Sequence, residues 1–201
     1  MQINDLYQTK ITCSTYNATI DSANTIVTVR LVDFNGNSVT NKSVTLTCDK
    51  GYFNKNGSTS ISGTTTKSIT ATTNGSGEIT ATWTASEWGL CTFSANTSNI
   101  QVKVTGWKLI NSYASSKVKL YTNDEMVHID CFGDVEFGLV ATINANYAPK
   151  TQMVVHAYSG TNIPNSLAIN NAGEIYFNQI NSNNTKKIST SFTYPRKTLI
   201  P

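Results

Sequence analysis

This chain of 201 residues is short of charge: Asp, Glu, Lys and Arg make up 13% of it, against about 25% in a typical soluble protein. Leu, Ala, Glu and Lys are too sparse for a helical bundle. The longest apolar runs fall far short of the ~20 residues that a membrane-spanning helix needs, so no membrane association is expected. Runs of Lys or Arg are missing as well. The net charge is only +3, and the densest basic segments, Lys186-Lys187 and Arg196-Lys197, read as solvated loop and terminus charge. A nucleic-acid footprint would need a basic stripe, so no nucleic-acid partner is expected.

Other absences concern chemistry. The start, Met1-Gln2-Ile3-Asn4-Asp5, has no basic segment followed by an apolar one. The expectation is therefore a protein made and used without Sec export, or a fragment carrying an added Met. There is no Gly-x-Ser-x-Gly elbow, P-loop or dinucleotide fingerprint, so neither an enzyme nor a cofactor is expected. None of the four cysteines sits in a Cys-x-x-Cys, which argues against zinc.

What takes the place of charge is neutral polarity: 30 Thr, 20 Ser and 23 Asn, over a third of the chain. With 39% hydrophobic and 9% aromatic residues there is enough to build a core, so the chain is not disordered. Thr, Val, Ile, Tyr and Phe suit pleated strands, and Asn and Gly suit the turns between them. The fold class expected is all-β, with two antiparallel β-sandwich modules. The cysteines agree with it. Cys48, Cys91 and Cys131 each fall on the apolar register of an alternating stretch (Val44-Leu46-Cys48, Cys91-Phe93-Ala95, Val127-Ile129-Cys131), as buried free thiols do. The alternative is a Cys48–Cys91 bridge across a sandwich; Cys131 is left without a partner.

Residues 1–104 read as about seven strands separated by turn signals, the count and spacing of an immunoglobulin-like sandwich. Thr25–Asp33 breaks at Asn35-Gly36-Asn37. Ser43–Cys48 ends before Gly51, and Ser68–Thr72 leads through Asn74-Gly75-Ser76-Gly77 into Glu78–Trp83. Leu90–Ala95 and Ile100–Val104 close the segment. The string from Val27 to Val39 with Asp33-Phe34-Asn35-Gly36-Asn37, then Val44–Cys48 and Gly51, resembles the bacterial Ig-like repeats of the invasin and intimin type. Thr73–Ala81 and Glu87–Ala95 are similar to two further strands of that repeat. The resemblance implies a spacer or display module.

Residues 105–201 continue with strands at Lys117–Thr122, Met126–Phe132, Gly138–Asn144, Met153–Tyr158 and Ile188–Tyr194. Asn170-Asn171-Ala172-Gly173 marks a hairpin between Leu167–Ile169 and Glu174–Phe177. The order Tyr147-Ala148-Pro149, then Leu167–Ile175, then Ser191–Pro195 is similar to carboxy-terminal head domains of tailed-virus fibre and tip proteins. That resemblance implies a head working as a homotrimer, with a host-surface glycan or protein as its ligand.

Four aromatic residues in or beside turn segments, Tyr52, Trp88, Tyr113 and Tyr158, are the candidate ligand-binding residues, since loop aromatics stack on sugars or anchor interfaces. The only two histidines are His128 and His156. His128 shares strand parity with Asp130, and Asp124, Glu125, Asp134 and Glu136 lie near, but without the spaced oxygen pattern of a calcium loop; no metal is expected. Six Asn-x-Ser/Thr sequons, at Asn17, Asn41, Asn56, Asn74, Asn96 and Asn183, are as many as chance gives in so Ser- and Thr-rich a chain. The reading that joins these features is a virion surface protein, a short fibre, spike or capsid-surface protein that associates with itself and with other virion proteins. The alternative is an Ig-like stalk fragment of a cell-surface adhesin.

Overall fold

Period-two alternation of apolar and polar side chains buries one face of each strand. Its longest uninterrupted stretch, Thr25–Asp33, has Thr25, Val27, Val29 and Leu31 buried. The computed structural model describes residues 7–23, 25–54, 66–123, 125–159, 161–178 and 187–196. Among these there are 17 strands, one 3₁₀ turn at Ala145–Tyr147 and no α-helix. The chain divides into two compact units, Met1–Gly106 and Trp107–Pro201. No helix among the described residues is long and apolar enough to cross a membrane.

The first unit contains β1 (Tyr7–Cys13), β2 (Asn17–Thr19), β3 (Thr25–Asp33), β4 (Ser43–Cys48), β5 (Tyr52–Asn54), β6 (Ser68–Thr72), β7 (Glu78–Thr84), β8 (Gly89–Ala95) and β9 (Ser98–Thr105). One sheet has the order β1-β3-β7-β5 and the other β2-β9-β8-β4-β6. Their inner faces meet in one core that holds Val29, Leu31, Phe53, Ile79 and Trp83 from the first sheet and Leu46, Cys91, Phe93 and Val102 from the second. This is an immunoglobulin-like layout with one departure. After β4 the chain crosses to pair β5 with β7, and then returns to pair β6 with β4.

Nine strands form where seven are expected. The two additions are the three-residue strands β2 and β5, too short to show a period. β2 also runs parallel to β9, so the second sheet is not wholly antiparallel. The expected buried free thiols are found at Cys48, Cys91 and Cys131, and Cys13 is free as well; the alternative of a cross-sandwich bridge is corrected, because Cys48 and Cys91 lie on neighbouring strands of the same sheet.

The turns are built from side chains that mimic backbone. Asp33 accepts from the Asn35 and Asn37 amides at 2.9 and 2.8 Å and from Asn37 Nδ2 at 3.0 Å. These bonds hold its carboxyl below the usual carboxylate range. Asn74 and Asn170 do likewise, each accepting from two amides of the following turn. At Gly51 the backbone has φ +68°, and a Cβ would fall 2.7 Å from Cε2 of Trp83. Only glycine fits there.

The second unit contains β10 (Lys108–Tyr113), β11 (Val118–Thr122), β12 (Met126–Asp134), β13 (Gly138–Thr142), β14 (Met153–Ser159), β15 (Thr161–Ile169), β16 (Glu174–Asn178) and β17 (Lys187–Pro195). They form one eight-stranded antiparallel sheet in the order β10-β11-β12-β17-β14-β15-β16-β13. The last strand among the described residues, β17, is thus central. A single ladder pair, Tyr158 with Ser189, joins β14 to β17. On either side of that joint lie two four-stranded halves that share one core. Val118, Leu120, Val127, Ile129 and Phe192 come from one half, and Leu167, Ile169, Ile175 and Phe177 from the other. The sheet is folded over itself to make a sandwich.

Both edge strands, β10 and β13, carry register shifts, at Leu109/Asn111 and Leu139/Ala141, a device that discourages edge-to-edge pairing. On the outer face of the second half the ladder aligns Val154, Ala168, Tyr176 and Leu139 across four strands. Val154 and Leu139 in that row are 59% and 56% exposed.

Candidate functional site

The outer face of β11, β12 and β17 is set by the same alternation that fills the core. Because Val127, Ile129 and Cys131 point inward, His128, Asp130 and Phe132 point outward. Register then fixes their neighbours: Tyr121, His128 and Thr193 form one rung, Lys119, Asp130 and Ser191 the next, and Phe132 sits opposite Ser189. A sheet of this kind offers side chains on a rigid backbone, with little left to loop motion.

Hydrogen bonds lock the centre of the face. His128 Nε2 lies 2.9 Å from Asp130 Oδ1, and His128 Nδ1 lies 2.8 Å from the Thr193 hydroxyl. A carboxylate only accepts, so Nε2 carries a proton; on the neutral ring, Nδ1 then accepts from the threonine O–H. Trp107 and Tyr121 flank the imidazole, with ring centroids 5.5 and 6.0 Å away at tilts of 53° and 49°. Trp107, 43% exposed, forms the outer wall.

Together Trp107, Tyr121, His128, Asp130 and Thr193 line an open hollow of about 390 Å³. A second hollow of about 330 Å³ adjoins it along the same strands, lined by Asp130, Cys131, Phe132 and Ser189–Ser191. Asp130 borders both. Phe132 is 50% exposed, and Lys119 Nζ lies 5.4 Å from its ring centroid. The arrangement presents aromatic faces, hydroxyls and one carboxylate to solvent, which suits binding by stacking and hydrogen bonds.

Of the four residues singled out from sequence, Tyr52 and Trp88 belong to the first unit and Tyr113 to β10, while Tyr158 pairs on the ladder with Ser189, which lines the second hollow. Tyr52 is half-buried in β5, not in a turn. Trp88 precedes β8, packs against the first core and donates from Nε1 to the Gly106 carbonyl at 3.1 Å. Lys50 Nζ donates to the Trp88 carbonyl at 2.9 Å, and Glu87 Oε1 accepts from the Gly51 amide at 3.3 Å. The segments bearing Tyr52 and Trp88 are therefore tied together. Tyr113, at the end of β10, packs against the second core. Tyr158 is in β14, and its side chain lies outside the described residues, as do Asp124 and the sequons at Asn56 and Asn183. Among the described residues, no three His, Cys, Asp or Glu side chains cluster as a metal site would require.

His128 and Asp130 carry a readable signal, since shared parity on one strand places them side by side. Tyr121 and Thr193 do not, because they reach the site through strand pairing, and Thr193 is 65 residues from His128.

Fold and site together define a two-module all-β protein with an open polar-aromatic face on its second module. No family model and no curated protein matches the chain. Among solved structures it is similar to a C-terminal 282-residue fragment of intimin in complex with the intimin-binding domain of the translocated intimin receptor. The identity is 15% over 93% of this chain and 63% of that one, with a TM-score of 0.35. It is also similar to domains 5-6 of the S-layer protein SbsC, at 14% identity over 96% and 98% of the two chains, with a TM-score of 0.30. The chain thus spans less than two thirds of the intimin fragment, and at these TM-scores neither likeness bears on function.

Proposed function

We propose that this chain is a surface-displayed binding protein of a virion, a short fibre, spike or capsid-surface component. Its first module is a spacer, and its second meets a host-surface glycan or protein. The observation that carries the reading is the locked His128–Asp130–Thr193 centre, walled by Trp107 and Tyr121. Preorganised polar groups beside an exposed indole are what a recognition surface needs. The resemblance of roughly residues 125–195 to viral fibre heads is what favours the virion setting.

Self-association as a homotrimer belongs to the same reading. Exposed Leu139 and Val154 are apolar surface of the kind that oligomerisation covers. The test is binding of the intact protein to glycan arrays and to host cells, together with its mass by light scattering. Saturable binding by an oligomer is the expected result. A monomer at micromolar concentration that binds neither would overturn the proposal. The second reading, an adhesin stalk at a cell surface, is favoured by the immunoglobulin-like layout of the first unit alone. It predicts a longer gene product with repeats of that unit.

A further inference from the structure

Within the binding reading above, we infer that the paired hollows on the outer face of β11, β12 and β17 bind two consecutive neutral pyranose rings of a glycan. The chemistry of each wall selects this class. A pyranose has an apolar C–H face and a rim of hydroxyls, so it needs an aromatic ring for the one and fixed acceptors and donors for the other. Trp107 and Tyr121 supply rings in the first hollow, where Asp130 supplies the acceptor and Thr193 the hydroxyl. Phe132 supplies the ring of the second, with Ser189 and Ser191 beside it.

Asp130 decides against acidic sugars. Its Oδ1 is committed to His128 at 2.9 Å, and the carboxylate lies at the boundary of the two hollows. A sialic or uronic acid would bring a second carboxylate to that boundary, and like charges repel. A neutral sugar instead donates hydroxyl protons to the free lone pairs, and such charge-assisted bonds are the stronger kind. Lys119, which pairs across the strand with Asp130, is drawn over the Phe132 ring and lines neither hollow. The spacing along β12 is fixed by the pleat: His128, Asp130 and Phe132 are successive outward residues, each about 7 Å from the next.

The test is titration of the full chain with methyl glycosides and disaccharides, followed by the indole N–H resonance of Trp107. Neutral methyl hexosides should shift that resonance in the millimolar range, and the matching neutral disaccharide should bind more tightly. Trp107→Ala, which lacks the reporting indole and is therefore followed by calorimetry against the parent protein, should lose binding. Asp130→Asn should weaken it about tenfold or more, the cost of removing a charged hydrogen-bond partner. Phe132→Ala should reduce the disaccharide to the affinity of the monosaccharide and leave the latter unchanged. All three side chains are outside the cores, so these variants keep the fold, which circular dichroism checks. Glucuronate binding as tightly as the glucoside overturns the inference. So does array or cell binding that Trp107→Ala and Asp130→Asn leave intact, although that result would leave the attachment reading standing. A protein receptor held through this face, with no response to any sugar, also overturns it.

Discussion

The rings of Trp83 and Phe93 meet edge to face at 5.0 Å, one from each sheet of the first unit. Both are fully buried. Trp83 also donates from Nε1 to the Lys50 carbonyl at 3.0 Å, an oxygen that accepts from the Cys91 thiol at 3.2 Å as well. The indole therefore ties the sandwich together and fixes the β4–β5 turn. Trp83→Ala should cost about 3–5 kcal/mol. In a double-mutant cycle with Phe93→Leu, urea unfolding should give a coupling of about 0.5–1.5 kcal/mol. Strict additivity would refute the ring–ring contact as an energetic unit.

The thiols predict how stability follows pH. Burial pushes Cys13 and Cys48 up from 9.0 to about 11, and Cys91 and Cys131 to about 12. The unfolded chain loses these protons first, so above pH 9 it binds fewer protons than the folded one. Stability then falls as pH rises. The contribution is complete below pH 9 and is lost as pH climbs through 11 to 12. Burial raises Tyr194 in the same sense. Urea midpoints should therefore decline steadily above pH 9, and Cys131→Ala should reduce the slope. At pH 8 the native thiols should react with a disulfide reagent far more slowly than those of the unfolded chain.

Two glycines with similar backbone angles separate strain from crowding. Gly173 has φ +87° in the hairpin turn, and a Cβ there would stand 2.5 Å from the Ile143 carbonyl oxygen. Gly36 has φ +83° with nothing within 4 Å. Gly36→Ala should cost about 1–2 kcal/mol, the penalty of a left-handed residue alone. Gly173→Ala should cost clearly more, because that oxygen belongs to a backbone paired through Ile143 N–H to Gly173 O at 2.9 Å. Equal thermal shifts in the two variants would remove the steric argument.

Tyr194 donates its hydroxyl to the Tyr147 carbonyl at 2.7 Å, while Arg196 lies 5.1 Å from the Tyr147 ring. The contact pins the final strand to the 3₁₀ turn. Tyr194→Phe keeps the ring but deprives a part-buried carbonyl of its partner, so about 1–2 kcal/mol should be lost. An unchanged urea midpoint would show that water replaces the phenol there.

These particulars show how far sequence reading reaches. Asp33–Asn37 and Asn170–Gly173 were legible as turns, because Asn, Asp and Gly each bring a local physical preference. The inward cysteines were legible because period two is a local property. β2, β5 and β10 were not, since three residues have no period and β10 is an edge strand with little buried. The role of Trp107 and Tyr121 was hidden for a different reason. It depends on which strand pairs with which, and pairing is decided by the whole core. Trp88 and Tyr113 look like binding residues by type, yet both pack against the cores.

The place of β17 has a consequence for how the molecule is made. Residues 187–195 lie between β12 and β14, so most of the second unit is synthesised before the strand that joins its halves exists. Until then each half-sheet presents an unpaired edge and an uncovered apolar face, the condition in which chains associate wrongly. Among the described residues, the two sheets of the first unit draw on no strand beyond Thr105, so that unit is free to fold ahead of the second. A premature stop before Lys187 would therefore remove the seam of the second unit, along with Thr193 from the binding face.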